Sequence, residues 1–251
     1  MMLTRRGLGL VAGAAAAGAA LTGAGCSRSS GTRAAGAAPT AGTAGEGAVN
    51  GGTLIADVIA DPLLGDYGRL LFPITMNTPG PADTLADVGG LLAWYTHVDV
   101  NATVDVVNDV LLRRRAGETV FHDIYTDAEK SADPTLEDTG LFVFPAQGAP
   151  DGGSGRVALC CAGGGFAYVA SIHDSMPHAL WLSRHGFTAF ALQYRPDPRL
   201  GCQDLARAVS HVHARAAEFG VDPTGYSLWG GSAGARLAAA VGNLTDRKSV
   251  V

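Results

Sequence analysis

From residue 141 onward, short apolar runs alternate with longer segments whose apolar residues recur at helical spacing. The short runs have the length and composition of strands buried on both faces, and they lie at residues 141–144, 157–161, 187–192 and 226–229. Spacing and boundary residues predict helices at 174–185, 203–219 and 233–241. Such an alternation is typical of a parallel sheet with right-handed crossovers. The sequence therefore predicts an α/β core that begins at residue 141.

The segment at 203–219 has the clearest helical period of this core. One face carries Leu205, Val209, Val212, Ala216 and Phe219. Gly220 follows directly, and glycine is the usual residue in the left-handed position that ends a helix. We therefore expect one continuous amphipathic helix that ends at Phe219.

Residues 51–140 give a weaker pattern, which we interpret as an N-terminal extension that could cover an active site. Its clearest element is a helix at 101–115, with Asn101 as N-cap and Gly117 as the residue that ends it. Val104, Val107 and Leu111 share one face of this helix.

Two charged clusters in this extension have alternative interpretations. Arg113, Arg114 and Arg115 could contact an anionic lipid or a phosphate, but a solvated helix end is favoured because cations there suit the helix dipole. The acidic residues lack the spacing of a calcium loop and are interpreted as surface charge; they are Asp123, Asp127, Glu129 and Asp133.

The first 50 residues have the pattern of an export signal followed by a flexible linker. Residues 1–26 combine Arg5 and Arg6 with an apolar stretch that is too short and too rich in Ala and Gly for a good membrane span. The double arginine resembles a twin-arginine export signal, and the small residues before Cys26 resemble a bacterial lipoprotein cleavage box. Residues 27–50 are predicted to be a flexible Ala/Gly/Ser/Thr linker.

These patterns predict a protein of the cell envelope. We expect export, a lipid on Cys26 as membrane anchor, and a domain outside the cytoplasm. The alternative is ordinary cleavage near Ala24, with Cys26 as an incidental thiol.

Composition excludes several classes of protein. The net charge of −5 argues against binding of nucleic acid through its phosphates. With 47% hydrophobic and 16% charged residues, disorder over the whole chain is excluded. No cysteines form C-x-x-C pairs, so we expect no metal site and no disulfide framework; the cysteines are Cys26, Cys160, Cys161 and Cys202.

The most informative motif is the G-x-S-x-G sequence from Gly230 to Gly234, because it follows an apolar strand and opens a helix. The tight turn exposes the Ser232 hydroxyl, and a side chain at either flanking glycine would collide with backbone. The Ala233 amide lies at the positive N-terminus of the helix, where an oxyanion would form. Ser232 is therefore the candidate nucleophile, although a structural serine in a tight turn has the same local pattern.

A second motif, Gly163-Gly164-Gly165-Phe166, directly follows the strand at 157–161. Glycines at a strand end allow backbone amides to approach a ligand closely, so this loop could supply the other half of an oxyanion hole. A plain tight turn remains an alternative. A nucleotide loop is disfavoured, since there is neither G-x-G-x-x-G nor a terminal Lys-Ser/Thr.

With these motifs, residues 141–244 resemble the first half of an α/β-hydrolase, in the esterase/lipase and dienelactone-hydrolase-like branch. Further matching features are Tyr194-Arg195-Pro196 at a strand end and the Gly-Val-Asp-Pro turn at 220–223. Ala162 stands where such enzymes often have His or Pro before the glycines. The resemblance implies Ser232 as nucleophile, an oxyanion hole of Gly164, Gly165, Phe166 and Ala233, a small-molecule carboxylic ester as substrate, and no cofactor.

A serine nucleophile needs a base, and in this fold the acid and the histidine follow the serine in the chain. Asp246 follows Ser232 but no histidine does; the seven histidines are His97, His122, His173, His178, His185, His211 and His213. Of these, His173 and His178 could approach the site, although packing or surface roles are favoured. The strands that normally follow the serine are also absent, so we expect an incomplete fold and an inactive fragment.

The last six residues support that interpretation. Residues 246–251 (DRKSVV) back-translate to GATCGGAAGAGCGTCGTG, which matches the start of a common short-read sequencing adapter. We interpret them as an assembly artefact, which a long sequencing read through codon 245 would test. A non-catalytic surface binding protein on the same scaffold is the alternative function; a nucleotide-binding domain is disfavoured by the glycine pattern.

Overall fold

The computed structural model describes residues 47–73, 78–91, 97–147 and 155–248, with side chains as far as Asn243. These residues belong to one compact unit, residues 44–251. The predicted export signal, Cys26 and most of the predicted linker lie outside the described residues, as do the last three residues of the predicted adapter tail. The end of the predicted linker is packed against the domain, since the Val49 amide donates to Asn108 Oδ1 at 2.8 Å.

Five strands form one sheet in the order β1-β2-β4-β3-β5. They are β1 (Phe121–Asp123), β2 (Gly140–Phe144), β3 (Val157–Cys161), β4 (Thr188–Gln193) and β5 (Tyr226–Gly230). β3 is parallel to both β4 and β5, whereas β2 is antiparallel to β1 and β4. Four strands therefore run in one direction, and the predicted α/β class with a mostly parallel sheet and flanking helices is confirmed. The sheet starts before residue 141, because β1 adds to its edge.

Seven α-helices surround or precede this sheet in the described residues: α1 (Ile55–Ile59), α2 (Val100–Arg115), α3 (Asp127–Ala132), α4 (Ser175–Arg184), α5 (Pro198–Ala214), α6 (Ala216–Phe219) and α7 (Ser232–Lys248). Short 3₁₀ helices lie at Gly65–Leu71, Leu85–Leu91, Pro134–Leu136 and Ser171–His173. No helix of the described residues is long and apolar enough to cross a membrane.

Two helix predictions were wrong in detail. The N-cap of α2 is Asp99, whose side chain accepts from the amides of Asn101 and Ala102, so Asn101 lies inside the helix. The predicted helix at 203–219 begins earlier, at Pro198 after the N-cap Asp197, and is interrupted at Arg215. Gly220 ends α6 with a φ of 62°, as predicted.

Residues 51–140 share a single core with the sheet. Side chains of this segment that are at most 1% exposed include Leu71, Phe72, Val107 and Leu111. They belong to the same cluster of buried residues as the strands. The Cys160 and Cys161 thiols are free and buried in β3, as expected for small core residues. Burial raises the pKa of Cys160 to about 12, so it stays a thiol at neutral pH.

The arginines at the end of α2 bind the protein itself, and the prediction of a solvated helix end is wrong for Arg113. Its side chain is 10% exposed, pairs with Glu118 at 2.7 Å and donates to the carbonyl oxygen of Val143 in β2. Arg114 and Arg115 donate to the carbonyl oxygens of Leu63 and Gly47. The Arg113 bond to Val143 attaches α2 to the sheet, and the other two attach α2 to the preceding chain.

β5 differs from the neighbouring strands. All residues of β3 and β4 are buried, whereas those of β5 are half-buried or exposed, and Trp229 is 41% exposed. In the described part of the chain β5 pairs only with β3, so it forms an edge of the sheet. The strand predicted at 226–229 is therefore present, and in the described residues it is an edge strand with partly exposed apolar side chains.

Candidate active site

Ser232 lies on a sharp turn between β5 and α7. β5 ends at Gly230 and α7 begins at Ser232 itself. The φ of Ser232 is 48°, in the left-handed region that L-residues other than glycine rarely adopt. Such strain costs about 1–3 kcal/mol and persists only where the surrounding structure enforces it. The strained turn that the motif predicts is therefore present.

The glycines that flank this turn permit close backbone contacts. A Cβ at Gly230 would lie 2.4 Å from the carbonyl carbon of Gly234. A Cβ at Gly234 would lie 2.0 Å from the carbonyl oxygen of Cys161, at the end of β3. Both distances are far below van der Waals contact, so any side chain here would displace the turn. The collision predicted from the motif exists at both positions.

The glycine-rich loop after β3 is folded by its own backbone. Gly164, Gly165 and Phe166 have φ values of 126°, 62° and 60°. The carbonyl oxygen of Gly164 accepts from the Ala167 amide at 3.0 Å, and a Cβ at Gly164 would lie 2.1 Å from the Tyr168 carbonyl oxygen. Only glycine fits at this position, because it combines positive φ with close backbone approach.

A cavity of about 740 Å³ brings the loop and the elbow together. Its lining includes Gly164 and Gly165 from the loop, and Ser232. The other two residues predicted for the oxyanion hole, Phe166 and Ala233, are described but do not line it. Their predicted contribution is a backbone amide, and it stays a prediction.

Three histidines line the same cavity, together with Asp174: His97, His173 and His178. Sequence analysis considered His173 and His178 as residues that could approach the site, and both do. It missed His97, for which no motif or spacing gives a signal. The remaining described histidines pack against aromatic rings: His122 and His211 against Phe219, His185 against Trp181, and His213 against Tyr226.

The two histidines near Asp174 are expected to differ in charge. Burial lowers the pKa of His173 to about 4, so it is neutral at pH 7. A hydrogen bond with Asp174 raises the pKa of His178, whose Nδ1 lies 2.6 Å from the Asp174 carbonyl oxygen. The cavity therefore contains one neutral imidazole and one that is protonated more readily than usual.

Asp174 also belongs to this site, although the sequence indicates only that it starts the helix predicted at 174–185. Its side chain is buried, and its Oδ2 accepts from the Gly163 amide at 2.7 Å. In the described part of the chain, no group of three or more His, Cys, Asp or Glu residues could hold a metal ion.

Comparison with known proteins finds similarity to esterases over part of the chain. The BD-FAE family matches residues 150–250. A curated relative, an acetylxylan esterase from Xylanibacter ruminicola, is 24% identical over 99 residues, which are 38% of this chain and 21% of the relative. The chain therefore spans about a fifth of the length of this relative.

Two solved structures are also similar to part of this chain. An acetyl ester-xyloside bifunctional hydrolase from Caldicellulosiruptor lactoaceticus has a TM-score of 0.42 and 26% identity, over 49% of this chain and 46% of that one. A thermophilic esterase from Thermogutta terrifontis has a TM-score of 0.37 and 26% identity, over 41% of this chain and 38% of that one. The family match covers the glycine-rich loop and the serine elbow, and residues 150–250 are therefore confirmed as similar to the esterase branch of the α/β-hydrolases.

Proposed function

We propose that the protein expressed from the intact gene hydrolyses carboxylic esters through an acyl-enzyme on Ser232. The observation that carries this proposal is a serine with positive φ, directly after a strand, in a cavity that it shares with Gly164 and Gly165. A structural serine in a turn would need neither the strain nor the cavity.

The proposed reaction has two steps. The Ser232 hydroxyl loses its proton to a general base, and its Oγ attacks the ester carbonyl carbon. The negative charge on the carbonyl oxygen is then stabilised by backbone amides of the glycine-rich loop and of Ala233, at the positive end of α7. The alcohol leaves, and water hydrolyses the acyl-serine to release the acid.

We further propose that the ester is small and that an acetyl group is the acyl part. The support is the acetylxylan esterase whose sequence is similar over 99 residues of this chain. p-Nitrophenyl acetate is therefore the first substrate to test, with the butyrate and octanoate esters as longer comparisons.

The test of the reaction is Ser232→Ala, made in protein expressed from the intact gene. We expect kcat to fall by about 10⁴-fold or more, as for other serine nucleophiles. Ser210→Ala is the matched control, since the Ser210 hydroxyl is exposed and bonds only the Ala206 carbonyl oxygen one turn earlier in α5. A fluorophosphonate probe should label the Ser232 peptide of the wild type and of S210A. Retained turnover in S232A would favour the alternative, a binding protein on the same scaffold.

We also propose that the protein is exported and attached to the cell envelope by a lipid on Cys26. The support is the order of double arginine, apolar stretch, small residues and cysteine within residues 1–26. Cys26→Ser should move the protein from the membrane fraction to the soluble fraction in a bacterial host and abolish labelling by a fatty-acid probe. Membrane association that is unchanged in C26S would contradict the anchor.

A further inference from the structure

Asp174 lies between the glycine-rich loop and the serine elbow, the two segments that would form the candidate oxyanion hole. It directly precedes α4, is 8% exposed, and lines the cavity that contains Ser232. Neither motif includes it: it lies eight residues after the glycine-rich loop and far in sequence from the elbow. Its carboxylate nevertheless contacts both.

The first contact fixes the glycine-rich loop. Asp174 Oδ2 accepts a buried hydrogen bond from the Gly163 amide at 2.7 Å. A hydrogen bond to a charged acceptor is roughly twice as strong as one between neutral groups. The amide of the first glycine is thus held by the protein, directly before Gly164 and Gly165, which line the cavity.

The carboxylate also lies beside the elbow. A Cβ at Gly231 would lie 2.9 Å from Asp174 Oδ2 and 3.3 Å from Oδ1. The oxygen that holds Gly163 therefore also packs against the residue that precedes Ser232. The other oxygen, Oδ1, lies 3.6 Å from His178 Nδ1.

We propose that the Asp174 carboxylate sets the distance between the glycine-rich loop and the serine elbow, and so acts as a positioning residue for ester hydrolysis. This inference rests on the proposed function. Amides of an oxyanion hole stabilise the transition state only when they lie close to the position that the oxyanion will occupy. A displacement of about 1 Å costs up to about 10²-fold in rate.

The first test compares Asp174→Ala with Asp174→Asn in protein expressed from the intact gene. D174A loses the acceptor for the Gly163 amide, and we expect kcat for p-nitrophenyl acetate to fall about 10- to 100-fold with KM changed less than about threefold. D174N keeps one acceptor oxygen and should retain kcat within about fivefold. Asp109→Ala is the control, because it removes a largely buried carboxylate that does not line the cavity.

The second test is a double-mutant cycle with Gly231→Ala. The new Cβ would push against the carboxylate, so G231A alone should lower kcat by about as much as D174A. With the carboxylate removed, the same methyl group should have little further effect, so D174A/G231A should resemble D174A within about threefold. Equal losses from G231A in both backgrounds would contradict the proposal.

A third measurement separates positioning from a purely structural role. Methylboronic acid forms a tetrahedral adduct on a reactive serine and so reports on the oxyanion hole. Its Ki should rise in D174A by about the same factor as kcat falls, and should stay unchanged in D109A. If D174A does not fold, G231A and D174N carry the same comparison of kcat and Ki.

The two variants S232A and D174A distinguish a failure of this inference from a failure of the proposed function. If S232A abolishes turnover while D174A keeps kcat and the boronate Ki, Ser232 is the nucleophile and Asp174 has no positioning role. If S232A keeps turnover, both proposals fall.

Discussion

Two aspartates are buried in the described part of the chain, and their surroundings differ. Asp204 in α5 is fully buried and is surrounded by side chains: Arg195 binds it with two nitrogens, and the Tyr125 hydroxyl donates to it at 2.7 Å. Asp174 binds a backbone amide and lies at the wall of a cavity. Asp204 is neutralised by a cation, as a buried charge within a structural network must be, whereas Asp174 is close to the candidate nucleophile.

The Asp204 cluster connects several parts of the chain. The Arg195 amide and side chain both donate to Asp204, which raises the pKa of Arg195. Burial and the hydrogen bond with Asp204 raise the pKa of Tyr125, so its hydroxyl stays protonated. These contacts join the end of β4, α5 and the segment before α3. Both aspartates are buried, so burial does not distinguish them. They differ in the group that each carboxylate binds and in whether a cavity lies beside it.

The largest effect on stability is expected for Asp204→Ala. Removal of Asp204 leaves the half-buried Arg195 with only Asp133, 3.6 Å away, as a counter-charge. We expect a loss of about 3 kcal/mol, at the lower end of the range for a broken buried ion pair. Urea unfolding followed by circular dichroism would measure this loss. The kcat of the fraction that remains folded should change less than about threefold. A larger fall in kcat would remove the distinction between the two aspartates.

A smaller loss of stability is expected for Asp174→Ala. The change leaves the buried Gly163 amide without its acceptor, which costs about 1–3 kcal/mol. The two variants should therefore differ in which property they lose: D204A should lose more stability than D174A, and D174A should lose more activity than D204A. Urea unfolding curves and initial rates measured for both variants under the same conditions would test this. A D174A variant that lost stability but no activity would contradict the prediction.

The last prediction concerns the pH dependence of stability, which should depend on a histidine of the cavity and not on the Asp204 cluster. The folded pKa of His173 is about 4, below the ordinary value of 6.5, so the unfolded state binds the proton first. Stability is then fully present above pH 6.5 and falls as the pH drops toward 4, by at most about 1.4 kcal/mol per pH unit from this residue.

His173→Gln should flatten this dependence, and urea midpoints between pH 4 and 7 would measure it. His122→Gln is the comparison, because burial also lowers the pKa of His122, which lies outside the cavity. Arg195, on the Asp204 side, keeps its charge throughout this range. An unchanged slope in H173Q would show that His173 does not titrate in this way.

The features that sequence analysis predicted are those that are local in the chain. The strands β3 and β4, the helix α4, the turn at Ser232 and the glycine-rich loop each depend on a few consecutive residues. Gly230 and Gly234 could be assigned a steric role because the motif itself fixes the turn. Local rules are sufficient where the structure is set by neighbours in sequence.

The features that it missed depend on contacts between distant residues. β1 has three residues, too few to show a period, and it is defined by its register with β2. The break at Arg215 between α5 and α6 has no glycine or proline to mark it. Asp174 was assigned to the start of α4, since its contact with Gly231 becomes visible only when the fold brings them together.

The backbone strain at Ser232 has an evolutionary consequence. Glycine at this position would adopt the φ of 48° without strain and would thereby stabilise the fold by about 1 kcal/mol, while removing the hydroxyl. Most substitutions destabilise a protein, whereas Ser232→Gly would increase the stability of this one. A lineage in which the hydroxyl had no role would therefore drift readily to glycine at position 232.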